Sequence, residues 1–254
     1  MEFLEKDDYY GIAEKFPALV IKGSRENKSA SVYEAKNERG DVVQRVVYGE
    51  QRAPSCSFSV KDDLVLPLKI GTVNALDSHK FCFGSIGIRT TLGAAPTVEV
   101  TGRQVADDAT TEKSTTVDFG YVKISRFHDA QIPSFGAAAS GPFTPAFTLG
   151  TGSGTDFFLN DSAIDCAADI SDASVTGRCL NHDVQNGRCS VQGTIVQVGD
   201  TVPTIVPGDG WEITAPLTKS SEDESQPTWT FTIVKSFASV HPAERGHDVP
   251  PSGK

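Results

Sequence analysis

Cys166, Cys179, His182 and Cys189 come nearest to a chemical motif in this sequence. Zinc sites usually present ligands in pairs two to four residues apart, and only Cys179 and His182 meet that spacing. His128-Asp129 and His182-Asp183 look like acid–base fragments, yet neither accompanies a nucleophile in a turn of the G-x-S-x-G kind. Gly152-Ser153-Gly154 and Gly141 lie in a small-residue run that lacks the Lys-Ser/Thr of a phosphate loop. Asp209 beside Trp211, and Asp107-Asp108, offer carboxylates to calcium or a sugar, but without a repeated ligand spacing. The acidic run Glu222-Asp223-Glu224 belongs to the loop 218–227, where it reads first as a solvated hairpin tip and second as a contact to a neighbouring subunit.

The elements that must position these residues are strands. Between 180 and 234 the apolar residues alternate with polar ones, and Asn186-Gly187 supplies two adjacent residues that tolerate positive φ, so a two-residue turn is expected there. In that register Val184 faces Cys189 and His182 faces Val191. Side chains alternate across a strand, so Leu180, His182, Val184, Cys189, Val191 and Ile195 share the core face, and Cys179 points the other way. A Cys179–Cys189 disulfide is therefore not expected, and a zinc site is disfavoured. Trp211, Ile213, Ala215 and Leu217, then Trp229, Phe231 and Ile233, repeat the alternation and turn both tryptophans inward.

Composition bounds the class. Short alternating hydrophobic runs separated by Gly, Pro, Asn, Asp and Ser point to an all-β protein of antiparallel sandwich or barrel units, permitting two related ones, with few short helices. The net charge is −10 and no basic cluster is present, which argues against sequence-specific or nonspecific nucleic-acid binding. Five cysteines without a repeated spacing give no disulfide framework. The first residues are charged and lack the apolar core of a signal peptide, and no apolar span is long enough for a membrane helix, so a reduced, intracellular, membrane-free protein is expected.

Along the chain, 1–132 reads as an N-terminal β-rich domain, 133–155 as a Gly/Ala/Ser/Thr/Pro-rich linker or arm, 156–240 as a C-terminal β-rich unit and 241–254 as a polar tail. Weak helical turns are expected over 7–15 and 74–80. Gly40-Asp41 predicts a hairpin between 31–35 and 42–48, and Pro67 places 64–70 at an edge or bulge. Val100 to Val105 and Val191 to Val196 share a V-x-G-x-x-V form. Phe135, Phe143 and Phe147 space the small-residue segment, and a flexible linker has no use for three large apolar side chains. They are expected to dock on a surface, and together with Glu222, Asp223 and Glu224 they are the candidate subunit contacts.

The alternating run 188–198, the Pro207-Gly208-Asp209-Gly210-Trp211 turn and the threonine-rich strand 228–234, in an acidic β-rich chain with a small-residue arm, resemble the tail-tube and related structural proteins of tailed bacteriophages. That resemblance implies a non-enzymatic subunit without catalytic residues, cofactor or metal. Such subunits form homo-oligomeric rings or a tube with an acidic lumen through which DNA passes unbound. It also implies other virion proteins as partners, assembly in the host cytoplasm and residence in the virion. The chain offers no long amphipathic helix of the kind that flanks the sandwich in that family. The alternatives are a head or neck component of the same kind of particle, or a two-domain β-sandwich for carbohydrate or cell-surface attachment in which Trp211, Trp229 and Tyr121 stack on sugars.

Overall fold

A computed structural model describes residues 16–76, 79–105, 114–175, 178–220 and 226–240. The regular structure among these residues is all β, arranged as antiparallel sheets. The larger sheet has nine strands. Eight follow one another in the order β1 (Leu19–Lys36), β2 (Val42–Val60), β6 (Ala94–Val105), β5 (His79–Thr91), β11 (Phe157–Val175), β12 (Arg178–Gln197), β15 (Thr228–Phe237) and β14 (Glu212–Lys219), and β4 (Val73–Leu76) adds to β5. The expected helical turn over 74–80 is thus a strand pair, with Val73 opposite Cys82. The proposed helix over 7–15 lies outside the described residues.

The smaller sheet is built around β7 (Thr116–Ile124), which pairs with β3 (Leu64–Ile70), β8 (Ser134–Gly136) and β16 (Ser239–Val240), while β9 (Thr144–Pro145) extends β8. Val117 pairs with both Ile70 and Ser239, and Tyr121 with both Pro67 and Gly136. A strand has only two edges, so β16 and β8 share one edge of β7 and leave 118–120 between them. Pro67 sits beside a register shift on β3, which among the described residues pairs with β7 alone, as a residue without an amide proton requires.

These two sheets enclose the main core. Phe58, Ile88, Val98, Cys166, Val191, Ile195 and Ile233 from the larger sheet meet Leu68, Ile70, Val117 and Ile124 from the smaller. Alternation explains this: β3 is buried at every second residue, and Leu64, Leu66, Leu68 and Ile70 occupy those positions. The core crosses the expected boundary between halves, because β5 from the first and β11 from the second are hydrogen-bonded neighbours from Asp161 opposite Thr91 to Ala167 opposite Ser85. The two V-x-G-x-x-V segments fall on β6 and β12 of this one sheet, whereas the next Gly-aromatic dipeptide after each, Gly120-Tyr121 and Gly210-Trp211, lies in β7 and in the turn before β14 respectively.

The hairpin expected at Asn186-Gly187 is not a turn. β12 runs unbroken through it, and the two residues together stand opposite Ala168, between the pairs Ala167–Arg188 and Asp169–Gln185. They form a β-bulge in which Asn186 takes φ 52, the positive value for which its residue type was noted, spent on an extra residue in the strand. The core face survives this correction, because the added residue restores the parity that a turn would have set. His182, Val184, Cys189, Val191 and Ile195 are all buried. Gly187 serves a second purpose: a Cβ there would collide with the side chain of Val117, so β7 presses close on the larger sheet at the bulge.

β14 departs from expectation in the other direction. It is exposed along nearly its whole length, with Ile213 44% exposed, because it forms the outer edge of the sheet and meets β15 through two register shifts around Ala215. Trp211, in the turn before it, is buried, and Trp229 is half-buried with its indole N–H donating to Gln197 Oε1 at 3.0 Å.

Candidate functional site

The residues that looked most like a metal set separate in three dimensions. His182 is buried and its Nε2 lies 2.7 Å from the Gly71 carbonyl and 3.4 Å from Cys82 Sγ, so it bridges β12 to the end of β3 and to β5. Cys166 and Cys189 instead face each other across β11 and β12, with sulfurs 3.0 Å apart. The Cys179 side chain lies outside the described ones. Among the described residues no group of three or more His, Cys, Asp or Glu is placed to hold a metal ion. His182 and Asp183 point to opposite faces, and Asp183 accepts a 2.7 Å hydrogen bond from Thr115 Oγ1. His128 and Asp129 are exposed in the bend after β7. The Cys166–Cys189 contact escaped the sequence because a turn at 186 pairs Cys189 with Val184, whereas the bulge carries β12 on to pair with β11.

The segment 133–155 is laid into the fold. It contributes β8, β9 and β10 (Phe147–Leu149), and β10 pairs with β13 (Ile205–Pro207). A closed set of hydrogen bonds fixes its entry. Gln131 N donates to Thr90 Oγ1 at 2.9 Å, and Ser162 Oγ donates to Gln131 O at 2.7 Å. The serine proton being used, the 2.9 Å contact between the two hydroxyls is Thr90 donating to Ser162. Phe147 is fully buried, edge-on to Phe231. Phe135 packs on Trp211 at 5.1 Å between ring centroids, and Phe143 closes over Gly136 and Gly141. The surface on which these phenylalanines dock is the chain's own, so Phe147 is not available as a subunit contact. Glu222, Asp223 and Glu224 lie outside the described residues, as does Asp107-Asp108.

This segment builds one wall of a cleft of about 590 Å³. The opening is the gap in the edge of β7 between β16 and β8. Two ring pairs line it: Phe119 with Phe237, 4.9 Å apart and edge to face, and Phe135 with Trp211. Asp118 and Asp209 stand exposed at its mouth. Asp118 Oδ1 accepts the Gly120 amide at 2.8 Å, satisfying one backbone donor that the missing strand would have taken. The Lys235 ammonium donates to the Asp209 carbonyl at 3.2 Å and lies 5.9 Å from the centre of the Phe237 ring. Flat apolar walls under carboxylates at the rim suit a ligand with an apolar face and hydroxyl or amine donors.

The second notable surface is an arm. β6 supports β2 only from Ser55 to Ser59. Beyond that, among the described residues β1 and β2 pair only with each other, out to the turn at Gly40, where Asn37 Oδ1 accepts the amides of Arg39 and Asp41. The predicted Gly40-Asp41 hairpin is present, but far longer than the sequence indicated. Tyr33 pairs with Val46 on one face and Val32 points to the other, so apolar side chains face water on both. Val32 is 44% exposed, Tyr33 57%, Val42 48%, Val43 63% and Val46 40%. The two edges of the large sheet also differ: β14 carries Pro216 and bulges that deter strand addition, whereas β1 has no proline along its 18 residues.

Compared with models of known protein families and with curated proteins, the chain matches none. Among the described residues no helix is long and apolar enough to cross a membrane.

Proposed function

We propose that this chain is a non-enzymatic structural subunit that assembles with copies of itself, and that its place is in a phage-like particle, as a tail-tube subunit forming rings or a tube. The observation that carries this reading is the β1–β2 arm. A two-stranded ribbon on its own is marginally stable in water, and this one exposes Val32, Tyr33, Val42, Val43 and Val46 across two faces. Burying such side chains yields roughly 25 cal/mol per Å², a gain the isolated chain forgoes and a neighbouring copy supplies. The arm expected at 133–155 is thereby replaced by one at the other end of the sheet. Among the described residues the outer edge of β1 has no partner strand, and it offers the same neighbour a row of backbone donors and acceptors. The charge of −10 fits a lumen that repels a phosphate backbone instead of binding it. On this reading the subunit is made in a host cytoplasm and works in the virion, beside other virion proteins; a head or neck position would use the same surfaces.

Light scattering on size-fractionated protein, with electron microscopy of concentrated samples, tests the proposal. Rings or tubes are the expected result, and a chain that stays monomeric at every concentration contradicts it.

A second reading, attachment to carbohydrate, rests on the cleft. Its rings are recessed and form no exposed platform, which makes it the weaker of the two. Binding to a glycan array that is lost in Trp211→Ala would favour it over assembly.

A further inference from the structure

We propose that Cys166 and Cys189 form an intramolecular disulfide site that staples the centre of the large sheet when the protein meets a low-molecular-weight disulfide. The two residues are direct partners in the antiparallel register of β11 and β12. Directly opposed residues in an antiparallel pair have Cα atoms about 4.5–5.5 Å apart, inside the range of about 4.4–6.8 Å that a disulfide spans. Both side chains point to the same face, both are at most 1% exposed, and their sulfurs are 3.0 Å apart. Closing the bond therefore asks for a shift of about 1 Å in two side chains and no movement of the backbone.

The surroundings hold the pair in register. Cys166 is flanked on its other side by Ile86 of β5, and Cys189 by Lys235 of β15, so the two sulfurs sit in the middle of four consecutive strands. Neither thiol is needed elsewhere: each hydrogen-bonds only to the other among the described contacts. Cys82 has His182 as its neighbour, Cys56 lies on β2 and the Cys179 backbone pairs with Ser174, so among the described side chains no other sulfur competes beside the pair.

The step balances as thiol–disulfide exchange. One thiol loses its proton, and its sulfur attacks a sulfur of the oxidant, for example oxidised glutathione, releasing one thiol and leaving a mixed disulfide. The second sulfur, its proton also lost, attacks the protein sulfur of that mixed disulfide and displaces the second thiol. The protein gives up two electrons and two protons, and the glutathione disulfide is reduced to two thiols. Burial first, and the neighbouring Cys189 second, push the Cys166 thiol well above its ordinary pKa of 9.0, so the folded sheet holds it protonated and slow to react. Oxidation then follows local opening of the β11–β12 hairpin. Once formed, the bond is shielded from reductants by the same burial. The inference needs only this hairpin and stands whether or not the chain assembles.

The experiment is peptide mapping of the native, full-length protein. Protein is incubated with oxidised glutathione, with and without urea below the unfolding transition, then quenched in acid, alkylated in denaturant and digested without reduction. The expected result is a peptide pair joined through Cys166 and Cys189, with Cys56, Cys82 and Cys179 alkylated, appearing faster in urea. The linked protein should unfold at a temperature higher by roughly 5–10 °C, and the shift should vanish on adding a reductant under unfolding conditions. Alkylated Cys166 and Cys189, or glutathione left on either one in both conditions, would overturn the proposal. No variant is needed, so a folding defect cannot obscure the outcome; Cys56→Ala serves as a control that should still form the link.

Discussion

Phe147 meets Phe231 edge to face, with ring centroids 4.8 Å apart and planes at 71°. One ring comes from the small-residue segment and the other from the strand next to the outer edge of the large sheet, so this contact ties 133–155 into the core. Both residues are at most 2% exposed. Phe147→Ala should cost about 3–5 kcal/mol, the sum of lost burial and the cavity left behind. Phe143→Ala, only half-buried, should cost clearly less. Urea unfolding of both variants checks the order.

Gly193 pairs with Phe231 and supplies the space its ring occupies: a Cβ at 193 would lie 2.6 Å from the ring edge. Gly193→Ala should therefore lose about 1–3 kcal/mol by overpacking. Phe231→Leu in the same chain should recover part of that loss, because the pair shares one volume. A double-mutant cycle measured by thermal unfolding would show a coupling that an unrelated backbone effect would not produce.

Asn186 holds φ 52 at the bulge opposite Ala168. Asn186→Gly should be close to neutral, whereas Asn186→Val should lose about 1–2 kcal/mol, the cost of a β-branched residue in the left-handed region. Equal stability of the two variants in denaturant would contradict the bulge.

Asp63 accepts the Arg126 amide at 2.8 Å and the Ser125 hydroxyl at 3.3 Å. The amide chiefly, with help from the hydroxyl and the Arg126 and Lys123 charges, holds its carboxyl below the ordinary 3.8. A carboxylate whose pKa is lowered on folding binds fewer protons in the native state. Its contribution is therefore complete above about 3.8 and disappears as pH falls from there through the lowered value. Asp63→Asn should flatten the acid limb of the stability profile without moving the neutral plateau relative to its own value at pH 7. Stability measured from pH 2 to 7 reads this directly.

Much of the fold was legible because alternation survives errors of topology. The core face of β12, from His182 to Ile195, was assigned correctly from a turn that does not exist, since a bulge and a two-residue turn place the same residues on one side. Partners were less legible, because strand order is set by contacts between distant residues. Nothing local in Cys166 or Cys189 announces that they are opposed, and nothing near Phe135 announces Trp211. Composition misled at 133–155, where small residues admit close packing of irregular backbone as readily as they make a linker. The length of the β1–β2 ribbon was hidden for a related reason: residues 24–31 are mostly polar, so their strand rests on pairing with 48–56 and not on a hydrophobic pattern.

Self-association through the β1–β2 arm is tested most directly by multi-angle light scattering across a concentration series, comparing the natural chain with Tyr33→Lys/Val43→Lys. Both positions are more than half exposed, so the variant should fold with unchanged thermal stability. The natural chain should rise with concentration to multiples of 27.1 kDa while the variant stays at 27.1 kDa. A natural chain that remains at 27.1 kDa throughout, or a variant that assembles equally well, would contradict the arm as the assembly surface.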